Sequence, residues 1–169
     1  MTSRARETSA GKKGYLRAFR EGRVRRKSDM PHHAASFSLT TSGKGTYEIT
    51  RQVARVVEES GVRTGVVTVF VRHTSASLVI MENADPSART DLHAFFDHLV
   101  PEDTPYFVHT YEGPDDMPSH IRTILSGPSE VVPVIEGSMT LGTWQGIFLF
   151  EHRDQPHDRQ IVIMVQGDS

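Results

Sequence analysis

The stretch Val66–Pro86, VVTVFVRHTSASLVIMENADP, limits the fold more than any other part of the chain. Val67, Val69 and Val71 fall on one face of an extended segment, and Val66 and Phe70 share the other with Thr68. A strand apolar on both faces must be covered on both, which predicts an interior strand over Thr64–Arg72. The chain then meets a polar corner, His73-Thr74-Ser75, resumes as a strand over Ser77–Met81, and leaves through Glu82-Asn83-Ala84-Asp85. Asp85 followed by Pro86 reads as an N-cap with proline at the first helical position. Corners of this kind put metal-binding, proton-donating or hydrogen-bonding groups at the rim of an apolar scaffold, so His73 is the first active-site candidate. Period-two geometry sends it to the Val67/Val69/Val71 face.

Elsewhere the pattern alternates between strands and helices. Ala34 opens a strand-like run and Ser42-Gly43-Lys44-Gly45 carries turn chemistry. Ile49, Val53, Val56 and Val57 recur at helical spacing, with Thr50 as the expected N-cap and Gly61 as the residue after the helix. Leu92, Phe95, Phe96 and Leu99 mark the apolar face of a helix that Pro101 stops. Residues 102–118 form a long polar segment, and segments of that length inside small domains are often functional. A short helix over Ser119–Leu125, strands over Glu130–Ile135, Ile147–His152 and Gln160–Gln166, and a turn at Glu136-Gly137 complete the chain. The last two strands, apolar on both faces, read as a hairpin. The sum is an α+β fold: a sandwich or closed barrel-like, mainly antiparallel sheet of seven or eight strands with inserted helices, in a single domain over 34–169. Part of the apolar surface could serve as a subunit interface.

With 169 residues, 37% of them apolar, the chain can bury a core without covalent staples. Zero cysteines exclude disulfides, thiolate ligands and a cysteine nucleophile, so a metal here must use imidazole, carboxylate or water. Residues 1–33 make a basic tail: Arg4–Lys27 is dense in Lys and Arg and holds two Glu. It reads as a disordered extension. Nucleic-acid contact is the sharper alternative, but only Tyr15 and Phe19 offer stacking there. No apolar run approaches the roughly 20 residues that span a bilayer, and no secretory signal is present. The expectation is a cytoplasmic protein with neither membrane nor nucleic acid as a partner.

Of the nine histidines, His73, His109, His120 and His152 stand at boundaries between regular elements and polar loops. That placement suits ligands of a divalent metal, though isolated hydrogen-bonded histidines would look the same. No helical H-E-x-x-H pair occurs, so a metal site would have to be assembled by the fold. Glu82, Asp85, Asp115, Asp116 and Glu151 cluster near the same boundaries. Glu151 ends a strand apolar on both faces and therefore needs a cation, a donor or a metal; Arg153 or Arg122 could supply the cation. Asp85 is read as a helix cap. In LGTWQGI, Gln145 sits between glycines in either a tight turn or a ligand wall. Walker, dinucleotide and G-x-S-x-G motifs are all lacking.

The ordered set VTVFVRHTSASLVIMENADP, HTYEGPDDMPSHI and LGTWQGIFLFEHR resembles the YjbQ family, also called the secondary thiamine-phosphate synthase family, from about Ser36 to Gly167. The resemblance implies a homotrimer with a polar site near subunit contacts. It implies a divalent metal, zinc first, at His73, His109 and His120, with Glu82, Asn83, Asp115, Gln145 and Glu151 as accompanying catalytic groups. The implied activity is weak thiamine-phosphate synthesis: a pyrimidine-methyl diphosphate joined to a thiazole phosphate, with loss of diphosphate. Diphosphate departure favours a hard cation such as magnesium. A three-histidine site instead suits a softer metal and an activated water, hence a hydrolase or lyase acting on a small anionic substrate. A trimeric ligand-binding module without native catalysis is the remaining reading.

Overall fold

The computed structural model of the chain describes residues 32–169, so the expected basic tail lies outside them except for its last two residues. Those two, His32 and His33, begin β1 (His32–Thr40). The order continues β2 (Gly45–Glu48), α1 (Thr50–Ser60), β3 (Thr64–Val71), β4 (Ala76–Glu82), α2 (Pro86–Leu99), α3 (Asp116–Ser126), β5 (Ser129–Ile135), β6 (Ser138–Met139), β7 (Gln145–Glu151) and β8 (Asp158–Asp168).

The strands form two antiparallel sheets, a five-stranded one ordered β1-β8-β3-β5-β6 and a three-stranded one ordered β2-β7-β4. This is the α+β, mainly antiparallel architecture expected, with eight strands. One core unites the inward rows of both sheets with α1: Val67, Val69, Ile161 and Ile163 from the larger sheet, Leu78, Ile147 and Leu149 from the smaller, Val53 and Val57 from the helix, and Ile49 just before it. Burying side chains of this kind contributes roughly 1.5–3 kcal/mol each before conformational entropy is counted.

The expected hairpin of the last two strands is not formed. β7 belongs to the smaller sheet and β8 to the larger, so residues 152–157 cross between sheets. Two strands apolar on both faces can pair with each other or stand in different layers. Here Arg159 at the start of β8 reaches back to Glu151 at the end of β7, binding both carboxylate oxygens and joining the layers by a buried ion pair.

β3 is interior in its sheet, between β8 and β5, but it is not covered on both faces. Its outward row meets matching rows: Thr68 lies opposite Val131 and Met164, and Phe70 opposite Ser129 and Val162. Phe70 is 42% exposed and Val131 56%. The both-face apolarity thus belongs to a sheet with one face in the core and one apolar face outward.

Local signals act as their chemistry requires. The Asp85 side chain accepts from Ser87 N–H at 2.8 Å, and Pro86 opens α2. Gly61 closes α1 at φ 68°, a left-handed conformation suited to glycine. Thr50 is not the cap of α1. Its hydroxyl donates to Glu48 Oε1 and accepts from Ile147 N–H, tying the helix start to β7.

Candidate metal centre

α3 begins at Asp116, three residues before the expected Ser119, and that extra turn builds the site. Asp116 and His120 are four residues apart, one helical turn, so both side chains share a face. His120 Nε2 lies 3.3 Å from Asp116 Oδ1, and His109 Nε2, from the loop before the helix, lies 2.9 Å from Asp116 Oδ2. Ligand atoms of these three residues fall within 4.8 Å of one another.

The hydrogen-bond pattern fixes the chemistry. His120 Nδ1 is 2.8 Å from the carbonyl oxygen of Thr74, which can only accept, so Nδ1 carries a proton, and in the neutral ring Nε2 turns a lone pair toward Asp116. Asp116 is 1% exposed, and its Oδ2 has no hydrogen-bond partner although His109 Nε2 is close. With His120 neutral, its Nε2 lone pair faces the Asp116 carboxylate at 3.3 Å, and His109 Nε2 is the contact of Oδ2 at 2.9 Å. A buried acceptor pair of this kind is costly unless a cation lies between.

Arg153 positions the carboxylate. Its Nη1 donates to Asp116 Oδ1 at 2.5 Å, its Nε to Asp115 Oδ2 at 3.0 Å, and its Nη2 to the Glu112 carbonyl at 2.8 Å. Burial pushes the Asp115 carboxyl up, but the Asp154 N–H and the Arg153 guanidinium outweigh it and hold the group below the usual range. Asp115 is buried, and its Oδ2 accepts from both Arg153 Nε and Asp154 N–H, which makes it an anchor for Arg153.

The expected site residues separate into three places. His109 and His120 come together, and the carboxylate completing the group is Asp116. His73 is not in the group. Its Nε2 accepts from Gln160 N–H at 2.8 Å, so that lone pair is taken and Nδ1 carries the proton. Burial lowers its basicity further, keeping the ring neutral.

Glu151, expected as acid or base, is 0% exposed and saturated. Oε1 accepts from the N–H groups of His152 and Arg153 and from Arg159, and Oε2 from Thr41 Oγ1 and Arg159 Nε. No lone pair is left for proton transfer, so its role is to fix the crossing between sheets. Glu82, Asn83 and Gln145 gather at the far end of β4 and β7, where Glu82 pairs with Gln145 while Ala76 pairs with Glu151. At about 3.3 Å per residue this is about 20 Å from the corner. Within one chain they do not reach the histidines. Asp116, noted in the sequence among the boundary carboxylates, was not assigned to the histidines there, and Arg153, read as a possible cation for Glu151, pairs with Asp115 and Asp116 instead; the D-x-x-x-H spacing over Asp116–His120 was the available signal for the first.

A two-sheet α+β domain with a His/Asp/His group at a helix start defines the class. The chain belongs to the YjbQ/UPF0047 family: the model described as "UPF0047 protein YjbQ-like" matches residues 35–168. It is 51% identical over 136 residues to UPF0047 protein sll1880 of Synechocystis sp., covering 80% of this chain and 92% of that protein. It is 40% identical over 134 residues to UPF0047 protein YjbQ of Salmonella typhimurium, covering 79% and 96%. Among solved structures, a conserved protein of the yjbq/upf0047 family from Clostridium acetobutylicum matches with TM-score 0.72 at 36% identity, covering 78% of this chain and 98% of that one. The hypothetical protein APE1520 from Aeropyrum pernix K1 matches with TM-score 0.74 at 28% identity, covering 80% and 99%. Among the described residues no helix is long and apolar enough to cross a membrane.

Proposed function

We propose that this chain is a cytoplasmic metal-binding enzyme in which His109, Asp116 and His120 hold a divalent cation that acts on a small anionic or phosphorylated substrate. The observation that carries this reading is the convergence of the buried Asp116 carboxylate, whose Oδ2 is contacted by His109 Nε2 without a hydrogen bond of good geometry, with two imidazoles, one of them oriented by the Thr74 carbonyl. Two imidazoles and one carboxylate suit zinc, and three protein ligands leave a coordination position for water or a substrate oxygen. When bound, such an ion supplies Lewis acidity and lowers the pKa of a coordinated water. The protein's part is to fix the ligands, through Arg153 on Asp116 and Thr74 on His120. Thiamine-phosphate synthesis is the particular activity implied by the family resemblance; a nitrogen-rich ligand set favours hydrolase or lyase chemistry over diphosphate departure.

The test is metal analysis of the purified protein beside Asp116→Asn and His120→Ala, with thiamine phosphate formation measured in parallel. Near-stoichiometric zinc, iron or manganese in the wild type and loss of at least tenfold in both variants is the expected result. Equal, negligible metal in all three removes the proposal. Homotrimer formation belongs to the same reading and is supported by the outward apolar row Val131, Pro133 and Ile135 of β5. Sedimentation at the monomer mass would remove that part.

A further inference from the structure

A groove of about 660 Å³ opens beside the histidine cluster and shares His120 with it. Its walls are apolar: Phe70 at the end of β3, Ile124 on α3 and Pro128 after the helix. Phe70 and Ile124 are 42% and 78% exposed, so both present surface to a ligand. Arg72 and His73 line the same groove from the corner after β3.

Arg72 differs from the other arginines around the site. Arg122, Arg153 and Arg159 are buried and paired with carboxylates. Arg72 is exposed, and its guanidinium makes no ion pair or hydrogen bond with any described residue. The cluster end offers acceptor lone pairs, the opposite requirement. A groove of this volume lies within the range of small-molecule sites, which combine apolar walls with a few polar groups that set orientation.

We infer that this groove is the substrate subsite of the proposed metal centre, and that it takes a small organic anion with an apolar, ring-sized body lying along Phe70, Ile124 and Pro128 and its anionic group on Arg72. The inference rests on the metal reading for what happens at the His120 end. The anion and the apolar body are held by Arg72 and the walls, and these do not need the ion. A second copy of the chain covering the walls is the competing occupant. The free guanidinium argues against it, because an apolar sheet face packed on this groove would strand the Arg72 charge.

Phenyl phosphate, inorganic phosphate and phenol serve as probes, titrated calorimetrically into the full chain as purified and again after chelator treatment. Phenyl phosphate should bind at least tenfold more tightly than either of the other two in both preparations. Arg72→Gln and Ile124→Ser, both at exposed positions that leave the core intact, should each weaken phenyl phosphate about tenfold. Retained binding in chelated protein with the same dependence on Arg72 and Ile124 upholds the groove even if metal analysis fails. Equal affinity for phenyl phosphate and inorganic phosphate overturns it, as does indifference to both substitutions. Ile124→Ser changing the sedimenting mass while leaving phenyl phosphate affinity unchanged assigns the walls to a second copy and likewise overturns it.

Discussion

His152 predicts how the fold responds to acid. The ring is 1% exposed, with Phe150 at 4.3 Å between centroids and Ser77 Oγ at 2.8 Å from Nε2. Ser77 is linked in turn to Ser126, which also reaches the Arg122 carbonyl. Nδ1 is buried without a partner. A bare acceptor is tolerated in that position better than an orphaned N–H, so the proton belongs on Nε2, donated to Ser77. Protonating the ring would put a second N–H where nothing can accept it. Burial, reinforced by the charges of Arg122 and Arg159, drops the pKa from 6.5 to about 3.

The sign follows directly. Above pH 6.5 the ring is neutral in both folded and unfolded chains. As pH falls below 6.5 the unfolded chain takes up a proton that the folded chain refuses, so stability drops until about pH 3. Linkage gives a loss of about 2 kcal/mol by pH 5 and about 5 kcal/mol at the acid limit. His152→Gln keeps a hydrogen-bonding group for Ser77 and has no proton to gain. Urea unfolding at pH 7 and pH 5 should show the wild type losing about 2 kcal/mol more than this variant. His73 and His93, also lowered by burial, act in the same direction but remain in both proteins and cancel. Parallel pH curves for the two proteins would refute the assignment, as would a His152 ring resonance that titrates near 6.5.

Three further substitutions test the framework. Glu151→Gln leaves the buried Arg159 charge uncompensated and should cost about 3–5 kcal/mol in urea unfolding; a loss under about 1 kcal/mol would show the pair to be dispensable. Gly65→Ala places a methyl 2.0 Å from the Gln166 carbonyl oxygen on the neighbouring strand, so β3 and β8 must part and stability should fall by about 1–3 kcal/mol, read as a lower thermal midpoint. Asp85→Ala should lower the thermal midpoint while Asp85→Asn largely preserves it, because the cap needs a side-chain oxygen; equal effects would mean the carboxylate acts by charge alone.

What could be read from the sequence follows the range of the interaction responsible. The Asp85-Pro86 cap, the left-handed Gly61 and the Glu136-Gly137 turn, at φ 54° and 80°, are settled within a few residues and were legible. The pairing of His109 with His120 was half legible: both histidines stood at loop boundaries, but the choice between Asp115 and Asp116 depended on where α3 starts. That start is set by Arg153, 37 residues away along the chain, which claims Asp115 and Asp116 together. The separation of β7 from β8 was not legible, because hydrophobic alternation is identical for a hairpin and for two layers. The place of His73 outside the His109/Asp116/His120 group was not legible either. Its acceptor lone pair is taken by the backbone of Gln160, 87 residues on, a pairing that no local pattern announces.

The charge balance around Arg153 gives an independent argument for a cation. One guanidinium, held fully protonated by its neighbours, faces Glu112, Asp115 and Asp116 within 3.4 Å. Glu112 is 67% exposed on its side chain and shares its charge with water, but Asp115 and Asp116 are buried and cannot. One positive charge against two buried negative ones leaves a deficit at Asp116 Oδ2, the oxygen facing His109 and lacking a partner. Either a proton or an external cation must fill it. A His109 Nε2–H, 2.9 Å away, would fill it as a hydrogen-bond donor with no ion bound. A divalent ion would satisfy Oδ2 and both imidazole lone pairs at once, at any pH where the imidazoles are neutral. Metal content measured across pH 6 to 8 separates the two, because proton filling predicts no bound ion at any pH.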